Sequence, residues 1–486
     1  MMGKRLSDRL MWLAPCSVYL LVIFTVAAVD AAAPPVVEIG SRRELFVDEF
    51  IIDTLQGAQL RLHHPTPREV AITYDAPNEG NTSSYVRVFA DGDRFRMYYR
   101  GSHYDWPTGQ DTHQVTCYAE STDAIHWTRP ELDLFEFNGS KRNNIVWTGR
   151  GAHNFAPFKD TNPACKADAR YKAVGGSDAK GLHPFGSPDG IHWRRLSDKP
   201  VITEGRFDSQ NLAFWDAVRG RYVDFHRASV NQVRAIRTCT SNDFLHWSAT
   251  QAIDLGDAEP QHLYTNATIA YERAPHIFLS FPKRFVPSRQ QAYQPRPEHD
   301  FPGVSDGVLM ASRDGVKWKR WDEAFLRPGQ NVHRWWQRNN EIAWGLLTTV
   351  SDLPDKRPEL SLYATENYYN NPCRLRRFTL RVDGFVSVNA PYKGGQVITV
   401  PLRFLGNELE INYATSAVGS VRCALLDESG APLEGYALED CEEIYGDQLG
   451  RVVRWKGSTE VGALAGKTLR LQVALRDADL YSFRFR

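Results

Sequence analysis

A seven-residue motif, Ser-x-Asp-x-x-x-Trp, recurs through the middle of the chain and constrains the fold more than any other feature. Its four complete copies cover residues 121–127, 187–193, 241–247 and 312–318. A degenerate fifth copy, which lacks the tryptophan, covers residues 381–387. Copies separated by roughly 50 to 70 residues are typical of repeated β-sheet units rather than of helical solenoids. The five copies therefore predict five repeated units.

Each conserved position of the motif has a physical role in a tight turn between two strands. The aspartate closes the turn by accepting hydrogen bonds through its own side chain, and glycine after it accepts a positive φ. The tryptophan is large enough to pack between neighbouring sheets. Because a β-rich segment precedes the copies and strong helical periodicity is absent, the sequence predicts an all-β, five-bladed β-propeller.

The pattern of strands and turns changes near residue 404. Residues 404–486 contain short apolar stretches separated by turn residues, which is typical of a small β-sandwich. We therefore expect a propeller over residues 34–403 and an accessory β-sandwich over residues 404–486. Residues 45–52 are a candidate for an additional strand that closes the ring.

The N-terminus has the three parts of a secretory signal peptide. Basic residues within the first nine positions precede an apolar run over residues 10–29, and small residues follow at 31–33. We expect a signal peptide over residues 1–33, and hence a secreted or periplasmic protein. An uncleaved N-terminal anchor is the alternative. No later segment is apolar enough to span a bilayer, so no membrane span is expected after cleavage.

The charge balance argues against a dedicated nucleic-acid binder. The chain has 58 basic and 58 acidic residues, so its formal net charge is zero. Proteins that bind nucleic acid use a basic surface to neutralise phosphates. Aromatic residues make up 12% of the chain, which favours β-structure and surfaces that stack on rings. Composition alone does not name a ligand.

Polar residues repeatedly open the first strand of each predicted blade. In a propeller these positions meet at a central funnel, although they are far apart in the sequence. Asp, Glu, His, Asn and Arg recur there, which predicts a polar pocket; solvated loops are the alternative. The residues that we expect to bind substrate are Asp75, Asn81, Arg100, His153, Asn211, Glu259, His262, Tyr264, Asn266 and Asn339.

Three carboxylates in different blades are the candidates for catalysis. Cleavage of a glycosidic bond uses one carboxylic acid to protonate the leaving oxygen and one carboxylate as base or nucleophile. Glu79 and Asp208 are the candidates for base or stabiliser, and Glu366 is the candidate for the acid. For each of them the alternative is a loop acid that pairs with an arginine or caps a turn.

The sequence predicts no organic cofactor and no metal. It has no glycine-rich loop that would cradle a phosphate, and no pair of cysteines with the CxxC spacing of a zinc site. A structural Ca²⁺ in the funnel is the alternative, because amide and carboxylate oxygens are available there.

The motif hairpins, the five expected blades and the β-rich tail resemble the invertase, levansucrase and arabinanase superfamily of secreted glycosidases. The likeness is greatest to bacterial proteins with a glycosyl hydrolase family 32 N-terminal-like domain. Invertases carry Asn-Asp-Pro-Asn-Gly in the first blade, and residues 75–80 read Asp-Ala-Pro-Asn-Glu-Gly here. The chain has no Arg-Asp-Pro and no Glu-Cys segment. The resemblance implies a propeller with carboxylates in its funnel and a furanosidase-like hydrolase activity.

The leading hypothesis is a secreted glycoside hydrolase that cleaves an oligo- or polysaccharide in the propeller funnel. A non-catalytic, glycan-binding propeller is the first alternative. A structural or protein-interaction propeller is the second, and it predicts an apolar face in place of the polar funnel.

Overall fold

The computed structural model describes residues 35–177, 180–290 and 302–486, and within them the protein is all-β. Strands are joined by turns and by 3-10 segments at Ala152–Asn154, Ala167–Ala169, Val332–Arg334 and Gly462–Leu464. The predicted signal peptide lies outside the described residues. In the described part of the chain, no helix has the length and apolar character needed to cross a membrane.

Five four-stranded antiparallel sheets follow one another along the chain. The first sheet contains Ser84–Asp91, Arg94–Asp105, Gln110–Ser121 and Ile145–Thr148. The second contains Ala156–Lys159, Tyr171–Gly175, His183–Ser187 and Arg194–Arg195. The third contains Leu212–Asp216, Arg221–Val230, Val233–Ser241 and Gln251–Ala252.

The fourth and fifth sheets depart from this simple order. The fourth contains Ile269–Tyr271, Ala274–Ser280, Met310–Ser312 and Lys319–Arg320. Beside it lies a three-stranded sheet of His262–Leu263, Lys283–Val286 and Val304–Gly307. The fifth contains Leu347–Val350, Pro358–Glu366, Arg374–Arg381 and, from near the N-terminus, Thr66–Thr73.

The fifth sheet is therefore completed by a strand about 300 residues distant in the sequence, which pairs antiparallel with Arg374–Arg381. The sequence suggests residues 45–52 as the closing strand, but the structure does not place them in the fifth sheet. Leu45 pairs with Ser482, and Ile52 pairs with Thr399, both in another sheet. A closing strand is defined by the distant strand with which it pairs, and no local sequence pattern identifies it.

That other sheet has eight strands and gathers both ends of the described chain. It contains Glu44–Leu45, Ile52–Gln56, Gln59–Leu62, Val386–Ala390, Gly395–Thr399, Leu409–Leu426, Asp447–Val452 and Arg470–Phe485. A two-stranded parallel pair, Val37–Gly40 with Leu402–Phe404, completes the strands. Strands on both sides of the expected boundary at residue 404 thus share one sheet.

The first strands of different sheets contact one another directly. Val88 in the first sheet donates its backbone N–H to the carbonyl oxygen of Trp344, just before the fifth sheet, at 2.8 Å. The guanidinium of Arg87 donates to the carbonyl oxygens of Tyr85 at 2.8 Å and of Asn211, at the start of the third sheet, at 3.1 Å. These bonds bring the residues that open the first strands to one place.

The motif hairpins have the geometry that their sequence predicts. In the second sheet, Oδ1 of Asp189 accepts hydrogen bonds from the backbone N–H groups of Ile191 and His192, each at 2.8 Å. The residue after the aspartate has a positive φ in all four complete copies, even where it is not glycine: Ala124 (60°), Gly190 (79°), Phe244 (71°) and Gly315 (82°). The aspartate therefore holds a backbone conformation that alanine and phenylalanine otherwise avoid.

Two of the motif tryptophans contact the preceding sheet. Trp193 lies 6.3 Å from Tyr98 of the first sheet, and Trp318 lies 5.7 Å from Phe225 of the third, both as edge-to-face ring pairs. The degenerate fifth copy has no tryptophan and works differently. Its buried Asp383 accepts hydrogen bonds from Tyr271 in the fourth sheet and from Ser482 in the eight-stranded sheet, each at 2.7 Å.

Replacing the hairpin aspartate should destabilise the fold. We expect Asp189→Ala to lower the free energy of unfolding by about 1–2 kcal/mol, because two backbone N–H groups lose their acceptor. Asp168→Ala removes an exposed aspartate of the same sheet that contacts Arg194, and we expect a change within about 0.5 kcal/mol. Urea denaturation of both variants measures this difference, and equal losses would contradict the role given to the motif.

Candidate functional site

Several of the predicted site residues meet where the first strands begin. Asp208 opens the third sheet, and its carboxylate Oδ1 lies 2.9 Å from Nε2 of His153, which precedes the second sheet. The hydroxyl of Tyr264, before the fourth sheet, donates to the backbone carbonyl of Asp208 at 3.2 Å. We call this place the central site. Three sheets therefore contribute to it, as the convergence of strand openings predicts.

Arg100 connects the first sheet to the central site. Its guanidinium lies 3.4 Å from the ring nitrogens of His153 and 4.7 Å from the ring centre of Tyr85. It also donates to the hydroxyl of Tyr368, which follows the fifth sheet's second strand, at 2.9 Å. Arg100 is 6% exposed. Aromatic rings and neutral hydrogen-bond acceptors hold its charged guanidinium in place.

Asp208 is the exposed and ionised carboxylate of the central site. Its side chain is 58% exposed. The hydrogen bond from His153 is the main cause that lowers the pKa of Asp208 to about 2, and the charges of Arg227 and Arg338 act in the same direction. At any ordinary pH the carboxylate is therefore negatively charged and open to a ligand.

His153 lies between two acceptors. Its Nδ1 is 2.8 Å from Oε1 of Gln114, and its Nε2 faces Asp208. Two acceptors are satisfied only by an imidazolium, which has two N–H groups. Burial nevertheless lowers the pKa of His153, and the charge of Arg100 lowers it further. The two acceptors therefore favour the protonated ring, whereas burial and the charge of Arg100 favour loss of its proton.

The central site includes residues that the sequence analysis did not assign to it. The hydroxyl of Tyr85 lies 3.0 Å from that of Tyr264, and Tyr85 has a φ of 53°. Glu341 accepts hydrogen bonds from Ser84 at 2.7 Å and from the ammonium of Lys283. Glu341 precedes the fifth sheet and Lys283 begins a strand of the three-stranded sheet, and no local pattern shows that they pair. Tyr85 lies inside an apolar strand and carries no signal at all.

Glu79 lies away from the central site. Its side chain is completely buried and accepts hydrogen bonds from Tyr99, from the backbone of Ala76 at 3.0 Å and from Arg129 at 2.6 Å. Burial raises the pKa of Glu79, although Arg129 acts in the opposite direction. Asp75 is exposed and contacts the same arginine at 3.0 Å. These contacts match the alternative given for a loop acid, which is to pair with an arginine.

Glu366 is also enclosed. It is 3% exposed, its Oε1 accepts a hydrogen bond from Arg376 at 2.8 Å, and Arg334 lies at 3.6 Å. No described contact joins Glu366 to Asp208 or to Glu79. The three predicted catalytic carboxylates thus occupy three separate environments, and Asp208 is the one that faces the central site.

The predicted asparagines act as clamps on the backbone. Asn81 forms two hydrogen bonds with the backbone of Tyr104, at 3.0 and 2.8 Å. The carboxamides of three other predicted asparagines are also buried and form hydrogen bonds with backbone groups. Asn211 contacts Phe207, Ser209 and Arg227; Asn266 contacts Gln210, Phe225 and Thr268; Asn339 contacts Trp336 and Tyr368. These buried asparagines hold the backbone of the loops around the site through their hydrogen bonds.

Glu259 and His262 line a groove beside the three-stranded sheet. The groove has a volume of about 610 Å³. Its wall includes Phe285, which also borders a cavity of about 50 Å³ at Tyr264 and Arg338. The exposed Glu259 uses its carbonyl oxygen to bind Arg320, and His262 accepts a backbone hydrogen bond from Arg234 at 3.3 Å. The groove therefore lies next to the central site.

One cluster of metal-type ligands occurs in the described ranges, and it is not at the central site. Asp224, His226 and Cys239 place their ligand atoms within 4.8 Å of one another in the third sheet. All three are buried, and the carboxylate is hydrogen-bonded to the imidazole. A set of oxygen, nitrogen and sulfur atoms does not suit Ca²⁺, which takes oxygen ligands. The predicted alternative of a Ca²⁺ in the funnel remains a prediction.

Comparison with known proteins gives structural but not sequence relatives. No protein-family model matches the chain, and no curated protein matches it. Solved structures that resemble it include a family 32 β-fructofuranosidase of Bombyx mori, with 11% identity, 88% of this chain and 94% of that chain covered, and a TM-score of 0.40.

Two further similar structures are glycoside hydrolases. The catalytic domain of a family 62 α-L-arabinofuranosidase of Coprinopsis cinerea has 11% identity, with 65% of this chain and 97% of that chain covered and a TM-score of 0.42. A structure described as a glycoside hydrolase has 14% identity, 65% and 92% coverage and a TM-score of 0.44. The expected resemblance to glycosidases is met to this extent. Likeness at this level assigns neither an activity nor a site residue to this chain.

Proposed function

We propose that the protein is a glycoside hydrolase that cleaves a glycan at the central site, with Asp208 as its ionised carboxylate. The observation that carries this proposal is the hydrogen-bonded pair of Asp208 and His153, at 2.9 Å, where the openings of several sheets meet. An exposed carboxylate with a very low pKa is suited to stabilise the positive charge that develops on a sugar during cleavage.

His153 is the group that we assign as proton donor. In hydrolysis the leaving oxygen takes a proton, the bond to the anomeric carbon breaks, and a water molecule supplies the hydroxyl that replaces it. An imidazolium whose pKa is lowered by burial and by Arg100 releases a proton easily. The hydroxyls of Tyr85 and Tyr264 keep their protons, because burial raises the pKa of both, and their oxygens can accept hydrogen bonds from sugar hydroxyls.

The five four-stranded sheets support the proposal that residues 66–381 form a five-bladed propeller around this site. We place residues 36–62 and 386–486 together in an accessory module built on the eight-stranded sheet. This division revises the expected boundary at residue 404. Secretion, which a glycan in the surroundings of the cell would require, rests on the N-terminal pattern of the sequence.

A non-catalytic glycan-binding protein is the second candidate, and one observation favours it. No second carboxylate among the described residues contacts Asp208, whereas glycosidases commonly use two. Glu341 accepts a hydrogen bond from the backbone N–H of Tyr85 and is bound to Lys283. If His153 does not deliver a proton, the same residues would bind a glycan without cleaving it.

A panel experiment separates the two candidates. The wild-type protein is incubated with a broad set of poly- and oligosaccharides, and new reducing ends are measured together with retardation in glycan-containing gels. Release of reducing ends supports the hydrolase. Retardation without release supports the binding protein. Neither release nor retardation by any glycan contradicts both.

The proposed roles predict an acidic pH optimum. The ratio kcat/KM should rise as Asp208 ionises near pH 2 and fall as His153 loses its proton, below the ordinary imidazole value of 6.5. The decrease in kcat/KM occurs below pH 6.5 because the pKa of His153 is lowered. Initial rates measured from pH 3 to 9 test this. A plateau that extends unchanged above pH 8 would show that His153 is not the acid.

A further inference from the structure

The central site carries more positive charge than its carboxylates balance. The guanidinium of Arg227 lies 5.2 Å from the ring centre of Tyr264, and that of Arg234 lies 5.4 Å from it. Arg338 and Arg234 border the cavity of about 50 Å³ beside Tyr264, and the guanidinium of Arg338 lies 5.2 Å from the ring centre of Tyr369. We call Arg227, Arg234 and Arg338 the arginine cluster.

None of the three arginines forms an ion pair with a carboxylate in the part of the chain that the structure describes. The side chain of Arg227 donates to the carbonyl oxygen of Arg206 at 2.8 Å. Lys283, also near Tyr264, is already paired with Glu341. The other carboxylate of the central site, that of Asp208, is hydrogen-bonded to His153.

Two enclosed arginines elsewhere in the protein, Arg313 and Arg377, are neutralised by carboxylates, whereas the buried Arg87 donates to backbone carbonyl oxygens. Arg313 contacts Glu44 and Asp48, and Arg377 contacts Glu69 and Glu359. The chain as a whole has zero net charge. A surplus of positive charge confined to one site is therefore a local arrangement and does not follow from composition.

The arginines in the cluster also repel one another. Burial lowers the pKa of Arg234, and the charges of Arg227 and Arg338 lower it further. Like charges held together in this way are stabilised when an anion binds between them. A guanidinium offers paired N–H donors that match the two oxygens of a carboxylate or of a sulfate group.

We infer that the glycan bound at the central site carries an anionic group, a carboxylate or a sulfate ester, and that Arg227, Arg234 and Arg338 bind it. The inference rests on the proposed glycan site, but it specifies the class of sugar: a uronate or a sulfated residue.

Matched ligands and matched variants test it. Uronate polysaccharides, each with its carboxyl-reduced neutral counterpart, and sulfated polysaccharides are compared by affinity electrophoresis and calorimetry, and products are followed as reducing ends and as unsaturated sugars. Arg234→Gln and Arg338→Gln should each weaken binding of the anionic glycan at least tenfold. Arg194→Gln, an exposed arginine paired with Asp168, should leave it unchanged.

The results separate this inference from the proposed function. Binding of a uronate but not of its reduced form, lost in both cluster variants, supports the inference and identifies a carboxylate; the same pattern with sulfated glycans identifies a sulfate. Binding without release of reducing ends, or with unsaturated products, keeps the inference and rejects the hydrolase. Equal binding of neutral and anionic glycans, unaffected by the variants, overturns the inference, as does no binding of any anionic glycan.

Discussion

Asp208→Asn should lower kcat by about a thousandfold on the glycan that the wild-type protein cleaves. The substitution keeps the size of the side chain and removes the negative charge that would face the sugar. It also removes the ionic partner of His153, which lies 2.9 Å away. Because the Asp208 side chain is largely exposed, the fold should be almost unaffected. Reducing-end release, measured beside thermal unfolding, gives both results.

Asp168→Asn is the control for this prediction. Asp168 is an exposed aspartate of the second sheet whose side chain contacts Arg194. Its replacement should leave both kcat and the melting temperature unchanged. If Asp208→Asn retains more than a third of the wild-type rate, Asp208 has no direct part in the reaction.

Lys283→Met should be among the most destabilising single substitutions near the central site. Lys283 and Glu341 are both buried, and their side chains form an ion pair. Burial, the largest effect, raises the pKa of Glu341, but the charge of Lys283 and its hydrogen bond outweigh it and the pKa is lowered. Without Lys283 the carboxylate would be left buried and uncompensated, which costs about 3–5 kcal/mol.

Two further variants make this prediction specific. Lys283→Met combined with Glu341→Gln removes both charges, and most of the lost stability should return. Lys319→Met breaks an exposed pair with Glu49 and should cost less than about 1 kcal/mol. Urea denaturation provides the free energies of unfolding. A loss of under 1 kcal/mol in Lys283→Met would show that the pair is not held away from water as the structure indicates.

The repeated hairpins could be predicted because their information is local. A turn aspartate such as Asp189 accepts hydrogen bonds from residues two and three positions further along, so the spacing alone specifies it. The pairing of Thr66–Thr73 with Arg374–Arg381 could not be predicted in this way. Its partner lies far along the chain, and register across the fold depends on packing that no short pattern records.

The same distinction explains the site. His153, Asp208 and Tyr264 are expected to lie together because residues that open the first strands of repeated sheets converge in space, and the structure brings them into contact. Their role in a site stays a proposal. Glu79 lies in a polar loop and Glu366 ends the strand Pro358–Glu366, and their side chains contact Arg129 and Arg376. The direction of a side chain depends on partners that are distant in sequence, and a polar loop residue alone does not reveal it.

The predicted asparagines show a related limit. A buried amide such as that of Asn211 satisfies backbone groups that a loop before a strand leaves unpaired. Sugar-binding and loop-clamping asparagines look identical in sequence, because the same donor and acceptor serve both purposes. The carboxamide partners in the fold decide between them.

The most direct test of a glycan site at Asp208 is a crystal structure of Asp208→Asn bound to an oligosaccharide that the wild-type protein cleaves or binds. We predict a sugar ring beside Asn at position 208 and Tyr264, with an anionic group facing Arg234 and Arg338. Sugar density confined to the groove at Glu259, or to a surface away from these residues, would contradict the assignment of the central site.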